Sequence, residues 1–369
     1  MTTPTDSSAA GNEAPAVRIA VDGAAAKFTL DRPRALNALD VAMRTAMSAA
    51  LPAFTRDPEV YALIITSASD RAFCAGGDVR ELVALYRNDP AAARRALADE
   101  YALDWQLECF AKPSVALIDG VVMGSGVGLT AYNTHRVAGE RYSFAMPETM
   151  LGLFPDVGVA HVLAGLPDHL GVYLGLTGHA IGRADAYALG LVTHCSAAAR
   201  FGEIIAALEE AWPVDPVLDE RHEAPGPPPL DAHRATIAKV FSAPTVGEIL
   251  SRLRTVSGRD ADWARRVEAD LRAAAPLSLA VTLRHIREAA SLDLRSVLAR
   301  DYRLACRFLE GHDFAEGVRA LLIDKDKAPR WQPSRIEDVT EAMVEACFAP
   351  LAEGELLLPE RRLMQEPAP

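Results

Sequence analysis

Residues 112–129, KPSVALIDGVVMGSGVGL, decide the fold. Lys-Pro opens an uninterrupted apolar run, which reads as a buried strand. The Gly-rich turn MGSGVGL (123–129) then opens a helix. The same order occurs upstream. YALIITSAS (61–69) reads as a buried strand, FCAGGD (73–78) as a tight Gly turn, and a helix follows from about Asp78. Downstream, RYSFAMPET (141–149) is strand-like, and Pro155 is expected to start a helix through DVGVAHVLAGL. Strands alternating with helices imply a largely parallel sheet with crossovers.

Working outward, VRIAVDGAAAKFTLD (17–31) reads as two short strands around a Gly turn. Asp40 is placed to cap a helix running to about Phe54, and a second helix covers roughly 91–110. After about 200 the texture changes. Residues 212–230, WPVDPVLDERHEAPGPPPL, are Pro-rich and charged and read as a linker or surface loop. Beyond them the pattern is helical, as in TVGEILSRLR, SLAVTLRHIREAA and SVLARDYRLACRFLEG. This predicts a polar, disordered tail over 1–15, an α/β part over 16–200 and a helical C-terminal region over 201–369.

Composition limits the function. The chain has 369 residues, half of them hydrophobic, and a net charge of −12. Such an acidic chain without Lys/Arg clusters is a poor partner for nucleic acid or an anionic membrane surface. No apolar run reaches the roughly 18 residues that would span a membrane. The five cysteines are widely spaced, without a CxxC pair, and read as reduced thiols of a cytoplasmic protein. The first fifteen residues lack the basic and apolar regions of a secretory signal.

Several chemistries lack their motifs. There is no GxxxxGK[ST] loop, no HExxH, no GxSxG and no metal-like His spacing, so no metal is expected. Gly124, Gly126 and Gly128 imitate a dinucleotide loop, but the third glycine is not at the required offset and the turn does not follow the first strand. What remains is the pair of Gly turns. Each is expected to open a helix, whose first N–H groups have no intrahelical acceptor. Two such ends side by side would form an oxyanion hole for an acyl carbonyl. Taken singly, each is more often an ordinary turn. In FAMPETMLGLFPDVG (144–158), two carboxylates, Glu148 and Asp156, stand in an apolar stretch. Charged groups are rarely placed so without a reason. Asp156 at a helix start could instead be a cap, kept ionised by the helix dipole.

FCAGGD, KPSVALIDGVVMGSGVGL and FAMPETMLGLFPDVG, in this order and spacing, resemble the crotonase (enoyl-CoA hydratase/isomerase) superfamily. MPET-x-x-GLFPDVG and GHDFAEGVRALLIDKDKAPRW (311–331) look like its 3-hydroxyisobutyryl-CoA hydrolases. The resemblance implies a crotonase-like ββα spiral fold and hydrolysis of a short 3-hydroxyacyl-CoA in valine breakdown. Coenzyme A would be part of the substrate, with no separate cofactor, and the chain could assemble as a homo-oligomer. By the same resemblance the N–H groups of Gly77 and Ser125 form the oxyanion hole. Glu148 is then the catalytic nucleophile or base, and Asp156 binds the substrate hydroxyl. Glu100, Ala75, Asp78 and Gly124 line the substrate site, and Arg34 and Arg71 are candidate cations for the CoA phosphates. Ser125 stands where relatives usually have Gly. Hydratases of the superfamily carry a second Glu where this chain has Gly128, which disfavours hydration. The alternatives are an enoyl-CoA hydratase or isomerase, and a CoA-binding protein without chemistry.

Overall fold

The computed structural model describes residues 15–352 and 354–365. The tail expected over 1–15 lies almost wholly outside the described residues. Strands β1 (Val17–Asp22) and β2 (Ala25–Leu30) form an antiparallel hairpin around Gly23. Asp40 caps α1 (Val41–Arg56), accepting the Met43 N–H at 2.8 Å. Then follow β3 (Ala62–Ser67), β4 (Ala72–Cys74), α2 (Val79–Asn88) and α3 (Pro90–Cys109). Next come β5 (Ser114–Ile118), β6 (Val121–Met123), α4 (Ser125–Ala131), β7 (His135–Ala138) and β8 (Ser143–Ala145). A short 3-10 turn, Glu148–Leu151, and α5 (Val159–Ala164) lead towards β9 (Ile181–Gly182) and β10 (His194–Cys195).

The strands form two sheets. The larger runs β1-β2-β3-β5-β7-β10, parallel from β2 onward. The smaller runs β4-β6-β8-β9. The chain visits the large sheet and then the small one, three times over: β3 then β4, β5 then β6, β7 then β8. The sequence reading assigned β3 and β5 but joined each directly to its Gly turn. The three-residue strands β4 and β6 between them are too short to show a period. They fix the site, because β4, β6 and β8 are parallel neighbours. Their C-terminal ends deliver residues 75–77, 124–125 and 147–148 to one place, the usual position of ligands on open parallel sheets.

Two expectations need correction. Residues 212–230 are not a free linker. They contain the helix Val214–Asp219, whose Val214, Val217 and Leu218 bury against Ile64, Val115 and Leu117 of the large sheet. The apolar outer face of that sheet needs a cover, and this segment supplies part of it. The helix expected from Pro155 begins only at Val159, because Val157 and Gly158 are left-handed (φ 54° and 75°). The C-terminal helices share one continuous core with the α/β part. Leu294–Glu310 packs on α3, and Pro276–Ala289 packs on α5.

Candidate active site

A cavity of about 830 Å³ opens at the ends of β4, β6 and β8. Gly77, Ser125, Glu148, Asp156 and Glu100 all line it. Leu309 and Phe314 of the C-terminal region form part of its apolar wall.

The two Gly turns approach closely. A Cβ on Gly124 would stand 3.4 Å from Gly76 Cα and 3.1 Å from Glu148 Oε1. A Cβ on Gly77 would stand 2.8 Å from Ser125 Oγ. Gly124 has φ 47°, which favours glycine there in any case. The backbone N–H groups of Gly77 and Ser125 have no hydrogen-bond acceptor among the described residues. Two unused donors in one cavity can stabilise an oxygen that gains negative charge.

Glu148 is 6% exposed, and its Oε2 has no partner among the described residues. Burial, then the neighbouring Asp156, pushes its carboxyl well above the usual carboxylate range. Asp156 accepts the Tyr101 hydroxyl at 2.7 Å. Burial, then Glu100 and Asp301, pushes it well above that range too. This corrects the expectation of an ionised cap. Asp156 lies three residues before the helix and meets it only through its carbonyl oxygen, which accepts the Val159 N–H at 3.0 Å; its side chain caps nothing, and it is Asp301 that accepts the Gly158 N–H. Removed from the helix dipole and surrounded by carboxylates, Asp156 favours its neutral form.

Ser125 turns its side chain away from the role its backbone could play. Its hydroxyl donates to Glu100, and Glu100 Oε2 accepts from Arg44 Nη1 at 2.9 Å. Arg44 and Glu100 form a buried ion pair, 6% and 8% exposed at their side chains. Removing one member of such a pair strands the other charge. Arg44→Met is therefore expected to cost about 3–5 kcal/mol of stability, read from the denaturant midpoint. Adding Glu100→Gln should recover part of that loss. A single variant as stable as the wild type would contradict the pairing.

The remaining expected residues divide. Ala75, Asp78 and Gly124 line the cavity. The Asp78 carboxylate is already engaged, capping α2 and pairing with Arg32 at 2.9 Å. Arg34 lines the cavity, whereas Arg71 is exposed and is not among the lining residues. Sequence reasoning missed Arg44, Tyr101 and Asp301. Only Tyr101, beside Glu100, adjoined a residue already singled out. Gly128 packs against a carboxylate: a Cβ there would stand 2.5 Å from Asp104 Oδ1. Among the described residues no group of His, Cys, Asp and Glu is arranged to hold a metal ion.

The alternation between two sheets, with the site at the ends of the small one, has counterparts. The sequence profile of the enoyl-CoA hydratase/isomerase family matches residues 25–348. The chain belongs to that family. Among the family's members, the chain is 38% identical to chicken (Gallus gallus) mitochondrial 3-hydroxyisobutyryl-CoA hydrolase, over 91% of this chain and 89% of that protein. It is 38% identical to 3-hydroxyisobutyryl-CoA hydrolase 1 of Arabidopsis thaliana, over 90% of this chain and 92% of that protein. A solved structure of a carnitinyl-CoA dehydratase from Mycobacterium thermoresistibile superposes with a TM-score of 0.87 at 37% identity. It covers 93% of this chain and 98% of that one. An enoyl-CoA hydratase from Rhodobacter sphaeroides gives 0.85 at 37% identity, over 91% and 98%. The helical C-terminal region expected over 201–369 thus lies largely within the family match, which runs to residue 348. No helix among the described residues is long and apolar enough to cross a membrane.

Proposed function

We propose that the chain hydrolyses the thioester of a short 3-hydroxyacyl-CoA, with 3-hydroxyisobutyryl-CoA as the substrate. Relatives of nearly equal identity carry hydrolase, dehydratase and hydratase names, so identity alone does not select the reaction. The observation that carries our reading is Gly128 packed on Asp104. Adding water across a C=C calls for an acid and a base placed on one water. With Asp104 in the space a side chain at 128 would need, Glu148 stands without the second Glu of the hydratases.

The thioester oxygen lies between the N–H groups of Gly77 and Ser125. One such donor contributes about 3 kcal/mol to the transition state in comparable sites. Glu148 either attacks the carbonyl carbon, giving an anhydride that water then opens, or takes the proton of the attacking water. In both routes charge develops on the same oxygen, the C–S bond breaks, and the CoA sulfur leaves to be protonated. Asp156, held by Tyr101, binds the 3-hydroxyl. Its preference for the neutral form also equips it to give a proton. Arg34 at the cavity wall supports a contact with the CoA phosphates. Five buried cysteines without a disulfide among the described residues support a reducing compartment, which we take to be the cytoplasm.

The test is free-thiol release from 3-hydroxyisobutyryl-CoA, 3-hydroxypropionyl-CoA, isobutyryl-CoA and crotonyl-CoA. Fast release confined to the two hydroxylated substrates is expected. Loss of crotonyl-CoA absorbance without thiol release would identify a hydratase instead.

A further inference from the structure

The segment that carries Asp156 has an unfavourable backbone, and the C-terminal helices grip it. Val157 is left-handed at φ 54°, a conformation that β-branched residues rarely adopt. Such geometry persists only where the surroundings over-determine it. Here the Tyr132 hydroxyl donates to the Val157 carbonyl at 2.5 Å. The next N–H, of Gly158, donates to Asp301 Oδ2 at 2.6 Å. Gly158 has no room for a side chain, because a Cβ would stand 2.3 Å from the Tyr132 hydroxyl oxygen.

Asp301 lies in the helix Leu294–Glu310 and is fully buried. Its other oxygen accepts from His285 Nε2 at 2.5 Å. His285, in the helix Pro276–Ala289, is 1% exposed. Its ring meets the Phe154 ring edge-on at 5.7 Å, and its Nδ1 has no partner among the described residues. The two helices thus hold both ends of residues 154–158. A buried charged pair is weak evidence for stability, since packed apolar residues would often serve as well. Its location needs another reason, and the strained turn that begins directly after Asp156 supplies one.

We propose that Asp301 and His285 are positioning residues that aim Asp156 into the cavity. The inference rests on the reading above, in which Asp156 contacts the substrate 3-hydroxyl. Asp301 reads both partners as an acceptor on each oxygen. Asp301→Asn keeps the volume but weakens the grip: its NH₂ must face either the Gly158 N–H, which breaks that arm, or His285 Nε2, which can accept only by moving its proton to the partnerless Nδ1.

The test compares kcat and KM on 3-hydroxyisobutyryl-CoA and isobutyryl-CoA, together with amide hydrogen exchange at Gly158. In Asp301→Asn, kcat on the hydroxylated substrate is expected to fall about tenfold or more, because small misplacement of a reacting group is costly. KM and the rate on isobutyryl-CoA should change little, and Gly158 should exchange faster. His285→Leu should act in the same direction, while His285→Gln, which keeps a donor for Asp301, should restore most of the preference. A folded Asp301→Asn with the wild-type preference overturns the proposal, whatever Gly158 does. Where Asp301→Asn does not fold, the His285 pair decides: equal effects of Leu and Gln overturn it. Asp156→Asn is the control. If it keeps the preference, the Asp156 reading fails and takes this inference with it; if only Asp301→Asn keeps it, the inference alone fails.

Discussion

Glu148→Ala is expected to lower kcat by about a hundred- to ten-thousand-fold, the usual contribution of a positioned base. Binding of CoA should stay nearly intact, because the Gly77 and Ser125 N–H groups are untouched. The variant should also melt no lower than the wild type. Glu148 is buried with an oxygen that no described residue satisfies, so its removal relieves a desolvation cost. The pH profile carries the same argument. A base acts ionised, and burial disfavours the ionised form. The rising limb of kcat/KM in the wild type is therefore expected at a midpoint above 4.5, the ordinary value for Glu. The residual activity of Glu148→Ala should lack that limb. Turnover within tenfold of wild type, or a persisting limb, would remove Glu148 from the chemistry.

Asp156→Asn should act on selectivity as well as rate. Asn can still accept the Tyr101 hydroxyl, so the local packing survives. What is lost is the match to the 3-hydroxyl. A substrate hydroxyl buried without its partner costs about 1–3 kcal/mol. Preference for 3-hydroxyisobutyryl-CoA over isobutyryl-CoA should thus fall by roughly ten- to hundredfold. Competition of the two substrates, followed by product analysis, measures this directly. An unchanged preference would leave the hydroxyl to another residue.

Both residues were visible in the sequence, but their environments were not. Glu148 stood out as a charge among Met146, Pro147 and Met150, a local anomaly that survives folding unchanged. Asp156 stood out equally, yet its partners lie far along the chain: Tyr101 before it and Asp301 well after it. The dipole argument failed because the helix starts four residues later than Pro155, and that delay follows from left-handed backbone at Val157 and Gly158. A β-branched residue gives no sequence sign of such a conformation. Arg44 was invisible for a related reason. It is one cation on an ordinary amphipathic helix, and only the packing of α1 against α3 sets it on Glu100.

The sequence by itself determined the strands β3 and β5, the two Gly turns and the candidate carboxylates. Long apolar runs, backbone that needs glycine and charges in apolar surroundings are all local properties. It also placed the family, through motifs that each span a few neighbouring residues. The tertiary structure decided which of these meet. Three-residue strands hold β4, β6 and β8 side by side, and hydrogen bonds between strands far apart in sequence leave no periodic trace in any one of them. It also decided the protonation preference of Glu148 and Asp156, because desolvation depends on what covers a group. Part of that cover comes from helices more than a hundred residues further along the chain.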